Sequence, residues 1–147
     1  MTVDQLLDVA RARLDRLEPV AAYQAALSGA RMVDIRSESQ LTRDGMIPGA
    51  LIIPRNVVEW RLDPRGAYRN PHAPAPSDWT IVVCDEGYQS SLVAATLKEM
   101  GFEFATDLVG GFRAWRAMDL PVAPCEEEHL AAVAEMEACI RGADLRV

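Results

Sequence analysis

Basic residues, cysteines and long apolar runs are scarce in this 147-residue chain, and each scarcity excludes a class of protein. The 15 Lys and Arg are outnumbered by 22 Asp and Glu, giving a formal net charge of −7 that repels nucleic acid and anionic membrane surfaces. The N-terminal stretch MTVDQLLDVARARLDRL carries acids among its apolar residues and resembles neither a signal peptide nor a membrane span. We therefore expect a cytoplasmic protein that binds neither nucleic acid nor membrane.

The three cysteines, Cys84, Cys125 and Cys139, are odd in number and widely spaced, unlike the cysteines of a disulfide framework. A helical tail would place Cys125 and Cys139 about 21 Å apart, far beyond the ~7 Å between Cα atoms that a disulfide allows. Cys125 and His129 have a suggestive spacing for a metal, but two ligands do not close a tetrahedral site. We predict no metal site, and Cys125 remains an alternative as a resolving thiol for Cys84.

Apolar periodicity along the chain alternates between helix and strand. Helical spacing begins after a capping box at Thr2 and Gln5 and predicts a helix that ends near Pro19, followed by a second helix closed by Gly29. Strands are predicted in RMVDIR, ALIIP, WTIVVC and EFATDLV, with helices from about Ser90 to Met100 and in GGFRAWRAM. Residues 61–78, rich in Pro and Gly, are predicted to form a surface loop. This alternation is typical of an α/β domain with a central parallel sheet and helices on both faces.

The C-terminal tail begins with three acids and ends near Arg141, which predicts a helix from about Glu126 to Ile140 whose charges complement its dipole. We expect this helix to pack on the domain, with a dimer contact as the alternative, so the protein is predicted to be a monomer or a homodimer. The predicted division is an N-terminal helix over residues 1–19, one domain over 20–122 and a helical tail over 123–147.

The stretch CDEGYQSS, residues 84–91, places Cys84 between the most apolar strand candidate and a helix. Ligands of parallel α/β sheets collect beyond the carboxyl ends of the strands. The helix that follows points backbone N–H groups and its positive dipole end at this loop, with Ser90 and Ser91 as the expected N-cap. Gly87 allows a positive φ, which lets those N–H groups converge. Such a loop would stabilise a thiolate and an anionic sulfur attached to it.

This loop, here Cys84 to Gln89, resembles the active-site loop of the rhodanese-like family, which begins with a cysteine and runs straight into a helix. The stretches VDIRSESQL, DGMIPGALIIP and LVGGFRAW resemble three further family segments in order and spacing. The resemblance covers about residues 20–122 and implies a sulfurtransferase. Its Cys84 thiolate would take a sulfane sulfur from a small-molecule or protein-borne donor, become a persulfide and pass the sulfur to a thiol or other nucleophilic acceptor. The resemblance implies no cofactor.

The resemblance and the loop chemistry together name the candidate substrate-binding residues. Backbone amides of the loop would hold the terminal sulfur. Outside the loop, Arg36 and Arg55 are candidate cations and Trp60 is a candidate apolar wall. The alternative for Arg36 is an internal ion pair with Asp34 or Glu38, and the alternative for Trp60 is ordinary packing. The candidates within the loop are Asp85, Glu86, Gly87, Tyr88, Gln89 and Ser90.

The loop departs from the family pattern in its charge. Many active members carry Arg or Lys where this chain has Asp85 and Glu86. Two carboxylates beside the sulfur destabilise its thiolate, each tenfold loss corresponding to about 1.4 kcal/mol, and repel thiosulfate. We predict slow turnover of thiosulfate and faster turnover of a neutral or protein-borne persulfide. A non-catalytic binding or regulatory module is the alternative. A cysteine phosphatase is disfavoured because Ser90 occupies the position of the arginine that grips phosphate.

Overall fold

Short helices and parallel strands alternate along the chain in the computed structural model, which describes residues 1–126 and 128–130. The strands are β1 (Arg31–Asp34), β2 (Leu51–Ile52), β3 (Thr80–Val83) and β4 (Ala105–Asp107). The helices are α1 (Val3–Arg11), α2 (Pro19–Leu27), α3 (Glu38–Asp44), α4 (Val58–Leu62), α5 (Gln89–Glu99) and α6 (Gly111–Ala117). A 3₁₀ turn over Arg55–Val57 precedes α4. Most of the predicted C-terminal helix, including Cys139, lies outside the described residues.

The four strands form one sheet in the order β2-β1-β3-β4, and every pair is parallel. The two central strands are in register from Arg31 opposite Thr80 to Asp34 opposite Val83. Their carboxyl ends therefore lie side by side, and Cys84 follows directly after one of them. The predicted parallel sheet is confirmed.

Helices cover both faces of the sheet, as predicted. Alternate residues of a strand point to opposite faces, so Val82 and Cys84 pack in one apolar cluster with residues of α4 and α5. Ile81 and Val83 pack in the other cluster with α2 and with Trp115 of α6. Within the described part of the chain, every helix is too short or too polar to span a lipid bilayer.

The N-terminal helix is shorter than the apolar periodicity predicts. Thr2 and Gln5 form the predicted capping box, but α1 ends at Arg11 instead of near Pro19. The chain then extends, so that Leu17 forms a parallel bridge with Leu108. Leu14 still packs into the core, which is why the apolar spacing continued past the true end of the helix. The extended segment runs beside the loop that carries Cys84.

Two helical segments were absent from the sequence-based prediction. The polar stretch after β1 folds into α3, with a capping box formed by Ser37 and Gln40. The spacing of those two residues was the available signal for this helix. The stretch after β2 forms the 3₁₀ turn and α4, which are too short to show a helical period. Both segments lie at the carboxyl edge of the sheet and contribute walls to the cavity beside Cys84.

Candidate active site

Cys84 lies at the carboxyl edge of the sheet, directly after β3 and just before α5. It is 5% exposed, and it lines a cavity of about 780 Å³. The thiol is therefore sheltered, yet it borders a space large enough for a small organic molecule. This position agrees with the rule that ligands of parallel sheets collect at the carboxyl ends of the strands.

Two backbone amides point at the sulfur. The N–H of Gly87 donates to Cys84 Sγ at 3.1 Å, and the N–H of Ser90 donates at 3.3 Å. Gly87 has a φ of +88°, the positive φ that the sequence predicts. Hydrogen-bond donors aimed at one sulfur stabilise its anionic form over its neutral form. The loop thus has the geometry of an anion-holding turn centred on Cys84.

The first turn of α6 holds the other side of the loop. The N–H of Phe112 donates to the carbonyl oxygen of Cys84 at 2.8 Å, and the N–H of Arg113 donates to that of Asp85 at 3.1 Å. A Cβ on Gly111 would lie 2.6 Å from both carbonyl oxygens. Only glycine allows this close approach, which gives the Gly-Gly pair of LVGGFRAW a physical role at the site.

The two loop acids are paired with a cation that the sequence analysis did not identify. Arg113 of α6 donates from Nε to Asp85 Oδ2 at 2.8 Å, and the same nitrogen lies 3.9 Å from Glu86 Oε1. The hydrogen bond to Asp85 is the main cause that raises the pKa of Arg113 above its usual value. Arg113 therefore offsets part of the negative charge beside the thiol. Its place in LVGGFRAW was the only available sequence signal.

Ser90 and Ser91 do not cap α5 in the predicted way. The N-cap is Tyr88, and its side chain makes no capping hydrogen bond. The two serine hydroxyls instead donate to Asp107 Oδ2, at 2.7 Å from Ser90 and 2.8 Å from Ser91. Asp107 ends β4 and is fully buried, so it attracts both donors away from the helix end. The two serine side chains thus connect α5 to the sheet, while the backbone N–H of Ser90 donates to the sulfur of Cys84.

Arg36 forms the internal ion pair that was the alternative to substrate binding. Its guanidinium contacts Asp34 at 2.7 Å, with both side chains fully buried, and donates to the carbonyl oxygen of Gly45 at 2.9 Å. The guanidinium also lies 3.7 Å from the ring centroid of Phe112. Arg36 nevertheless lines the cavity, and its Nη1 has no hydrogen-bond partner within the described residues. Nη1 itself is buried, so Arg36 borders the cavity chiefly as the buried partner of Asp34.

The remaining predicted binding residues are placed as follows. Asp85, Glu86, Tyr88, Gln89 and Arg55 line the cavity. Tyr88 is 55% exposed at its mouth, and Arg55 lies 3.7 Å from Glu59. Trp60 is 57% exposed and is not among the residues that line the cavity, where the sequence predicts an apolar wall. It lies on the outer side of α4, whose buried residues are Val58, Arg61 and Leu62.

Cys125 is half-buried and is not among the residues that line the cavity. Two residues before Cys125, Ala123 forms an antiparallel bridge with Met46, which follows the end of α3. Burial is the main cause that raises the pKa of the Cys125 thiol, and the charge of Arg36 acts in the opposite direction. Cys84 and Cys125 are both free thiols. No cluster of three or more potential metal ligands occurs in the described part of the chain.

Comparison with known proteins decides the family. The model of the rhodanese-like domain matches residues 19–118. The chain belongs to the rhodanese-like family. It is 30% identical over 92 residues to a sulfurtransferase of Allochromatium vinosum, an alignment that covers 62% of this chain and 76% of the relative. It is 34% identical over 102 residues to a thiosulfate sulfurtransferase of Pseudomonas entomophila, covering 69% of this chain and 84% of the relative.

A solved structure agrees with this fold. A protein of unknown function from Rhodopseudomonas palustris, described as a possible tyrosine phosphatase, superposes with a TM-score of 0.77 at 29% identity. That superposition covers 84% of this rhodanese-like chain and 95% of the other. The curated relatives named as sulfurtransferases support sulfur transfer as the general chemistry of this chain.

Proposed function

We propose that this rhodanese-like protein transfers a sulfane sulfur through a persulfide on Cys84. The observation that carries the proposal is the pair of N–H groups, from Gly87 and Ser90, that converge on Cys84 Sγ. Donors fixed in this way stabilise negative charge on sulfur without any reorganisation during the reaction. The same loop would hold the anionic outer sulfur of a persulfide.

The reaction needs no electrons from outside. The Cys84 thiolate attacks the outer sulfur of a donor persulfide, R–S–SH, forming a new S–S bond as the donor's S–S bond breaks. The donor leaves as its thiol R–SH, and Cys84 carries the terminal sulfur as an anion. An acceptor thiolate then attacks that terminal sulfur and releases the Cys84 thiolate. Nucleophilic catalysis of this kind divides one transfer into two displacements.

The cavity favours an organic persulfide over thiosulfate as donor. Its cations are already engaged, since Arg36 pairs with Asp34 and Arg55 lies near Glu59. Its described walls also include Glu38, Asp85 and Glu86. A dianion therefore gains little attraction on entry, whereas an organic persulfide that carries less negative charge is repelled less by these acids.

The Rhodopseudomonas relative raises phosphatase activity as another function for this fold. Phosphate recognition in a cysteine loop needs a bidentate arginine, and residues 85–90 contain none. The nearby Arg36 is held by Asp34, and Arg113 is held by Asp85. No observation at this site favours phosphate over sulfur chemistry.

A single-turnover experiment tests the proposal. The protein is incubated with glutathione persulfide, freed of excess donor and treated with dithiothreitol, and the released sulfide is measured. We expect close to one sulfide per protein, no release from Cys84→Ser, and unchanged release from the matched control Cys125→Ser. Equal release from Cys84→Ser and the unaltered protein would refute the role of Cys84. Absence of release from the unaltered protein would favour a binding module.

A further inference from the structure

The carbonyl oxygen of Gly87 is held by two arginines that precede α2 in the chain. Arg11 donates from Nη2 at 2.8 Å, and Arg16 donates from Nη2 at 3.0 Å. The N–H of the same Gly87 donates to Cys84 Sγ. One loop residue thus connects two guanidinium groups to the reactive sulfur. Hydrogen bonds from charged donors are about twice as strong as neutral ones, so this grip restrains the loop firmly.

Each of the two arginines is itself fixed by further contacts. Arg16 makes a two-pronged contact with the buried Asp107, at 2.8 Å to Oδ1 and 3.1 Å to Oδ2. Arg11 donates from Nε to Ser91 Oγ at 3.1 Å, and its guanidinium lies 5.6 Å from the ring centroid of Tyr88. These contacts leave the guanidinium groups little freedom. Arg11 binds Ser91 in the first turn of α5, and Arg16 binds Asp107, which accepts hydrogen bonds from that same turn. The grip on Gly87 is therefore built into the packing of the domain.

The two arginines also change the charge around the loop. On the side of the loop that faces α6, Arg113 contacts two acids, Asp85 and Glu86. On the side of the loop that faces the N-terminal segment, Arg11 and Arg16 bring two positive charges and Asp107 brings one negative charge. Three arginines and three acids therefore surround the loop, and their charges sum to zero. Without Arg11 and Arg16, the charges that surround the sulfur would be net negative.

We propose that Arg11 and Arg16 are positioning residues for the Cys84 loop. They hold the Gly87 carbonyl so that the neighbouring N–H stays directed at the sulfur, and they supply the positive charge that the loop sequence lacks. This inference rests on the proposed persulfide chemistry of Cys84. Both arginines precede residues 19–118, the part of the chain that the family model matches. The N-terminal segment is therefore a working part of the active site.

The test compares Arg11→Ala with Arg13→Ala in the full chain. Arg13 lies in the same segment and carries the same charge, but its side chain pairs with the exposed Glu99 at 3.2 Å and not with the loop. Persulfide formation on Cys84 from glutathione persulfide is measured first. We expect Arg11→Ala to slow it by about tenfold, equivalent to about 1.4 kcal/mol, and Arg13→Ala to stay within about twofold of the unaltered protein.

A second measurement distinguishes the loss of positive charge near Cys84 from a general loss of folded structure. Alkylation of Cys84 is measured by peptide mass spectrometry with neutral iodoacetamide and with anionic iodoacetate. Arg11→Ala should lower the iodoacetate rate relative to the iodoacetamide rate, a ratio that general loosening of the structure does not change. Because Arg16→Ala would leave Asp107 buried and unpaired, Arg16→Lys is the second variant, with its melting temperature recorded alongside. We expect Arg16→Lys to fold, to slow persulfide formation and to keep the ratio close to that of the unaltered protein.

Two results would overturn the inference: a ratio in Arg11→Ala equal to that in Arg13→Ala, or persulfide formation at the unaltered rate in both Arg11→Ala and Arg16→Lys. Failure of the proposed function looks different. In that case the unaltered protein forms no persulfide at all, while the alkylation ratio still reports whether the arginines act on the Cys84 loop.

Discussion

Replacing Gly87 with alanine should damage the loop far more than the same change at Gly49. Both glycines have a positive φ, +88° and +81°, so alanine is strained at either position by about 1–3 kcal/mol. At Gly49 the new Cβ meets no atom within 4 Å. At Gly87 it would lie 2.8 Å from the backbone N of Gly110, which cannot move aside without shifting α6. Overpacking of this kind adds about 1–3 kcal/mol.

These costs translate into measurable differences in melting temperature. For a domain of this size, 1 kcal/mol corresponds to about 2–4 °C. Gly49→Ala should lower the melting temperature by about 2–12 °C and Gly87→Ala by about twice as much. Differential scanning calorimetry gives these values, and single-turnover sulfide release gives the activity. Gly87→Ala should lose most of its sulfide release at a temperature where it is still folded, while Gly49→Ala keeps it. Equal losses of stability and activity in the two variants would refute the reasoning.

Three further substitutions or modifications have expected outcomes. Arg113→Ala leaves Asp85 and Glu86 without their cation. Persulfide formation from the dianion thiosulfate should therefore fall more than that from a simple alkyl persulfide, which carries less negative charge, and adding Asp85→Asn should restore part of the loss. Equal effects on both donors would contradict this. Asp34→Ala leaves the charge of Arg36 buried and unpaired, which should lower the free energy of unfolding in urea by about 3–5 kcal/mol. The double variant that adds Arg36→Met should recover part of this loss. No recovery in the double variant would contradict the importance of the pair. Because burial raises the pKa of Cys125, less of it is thiolate at neutral pH, so iodoacetamide should modify it more slowly than in urea-unfolded protein. That gap should narrow as the pH rises, and a gap independent of pH would contradict the reasoning.

The framework of the site was predictable because it depends on local sequence. The apolar run TIVV forms β3, and the cysteine that follows it lies at the sheet edge where ligands bind. Gly87 adopts the positive φ expected of a glycine in a loop that turns its amides inward. The ion pair of Arg36 with Asp34 joins residues two positions apart, so sequence could propose it as an alternative.

The partners of the loop were not predictable because they come from distant parts of the chain. Arg113 is 28 positions from Asp85, and Arg11 is 76 positions from Gly87. Pairing over such distances depends on how α1 and α6 dock, which no local pattern encodes. The early end of α1 shows the same limit. Leu14 keeps an apolar period while serving an extended segment, and the extension is what carries Arg16 to the loop.

The exposed position of Trp60 was not predictable for a related reason. It lies in α4, a helix of 5 residues that is too short for its buried face to be read from the sequence. Ser90 and Ser91 were expected to cap α5, as serine often does at helix starts. The buried carboxylate of Asp107 is a stronger acceptor for their hydroxyls, and its position beside α5 follows only from the strand order.

The most direct test of the account is the mass of the Cys84 peptide after exposure to an organic persulfide. The protein is treated with glutathione persulfide, remaining thiols are blocked with iodoacetamide, and the digested peptides are analysed by mass spectrometry. We expect one additional sulfur atom on the peptide that contains Cys84, and none on that peptide in Cys84→Ala. A Cys84 peptide without added sulfur, or equal sulfur on the Cys125 peptide when Cys84 is absent, would contradict the claim that the loop amides make Cys84 the sulfur carrier.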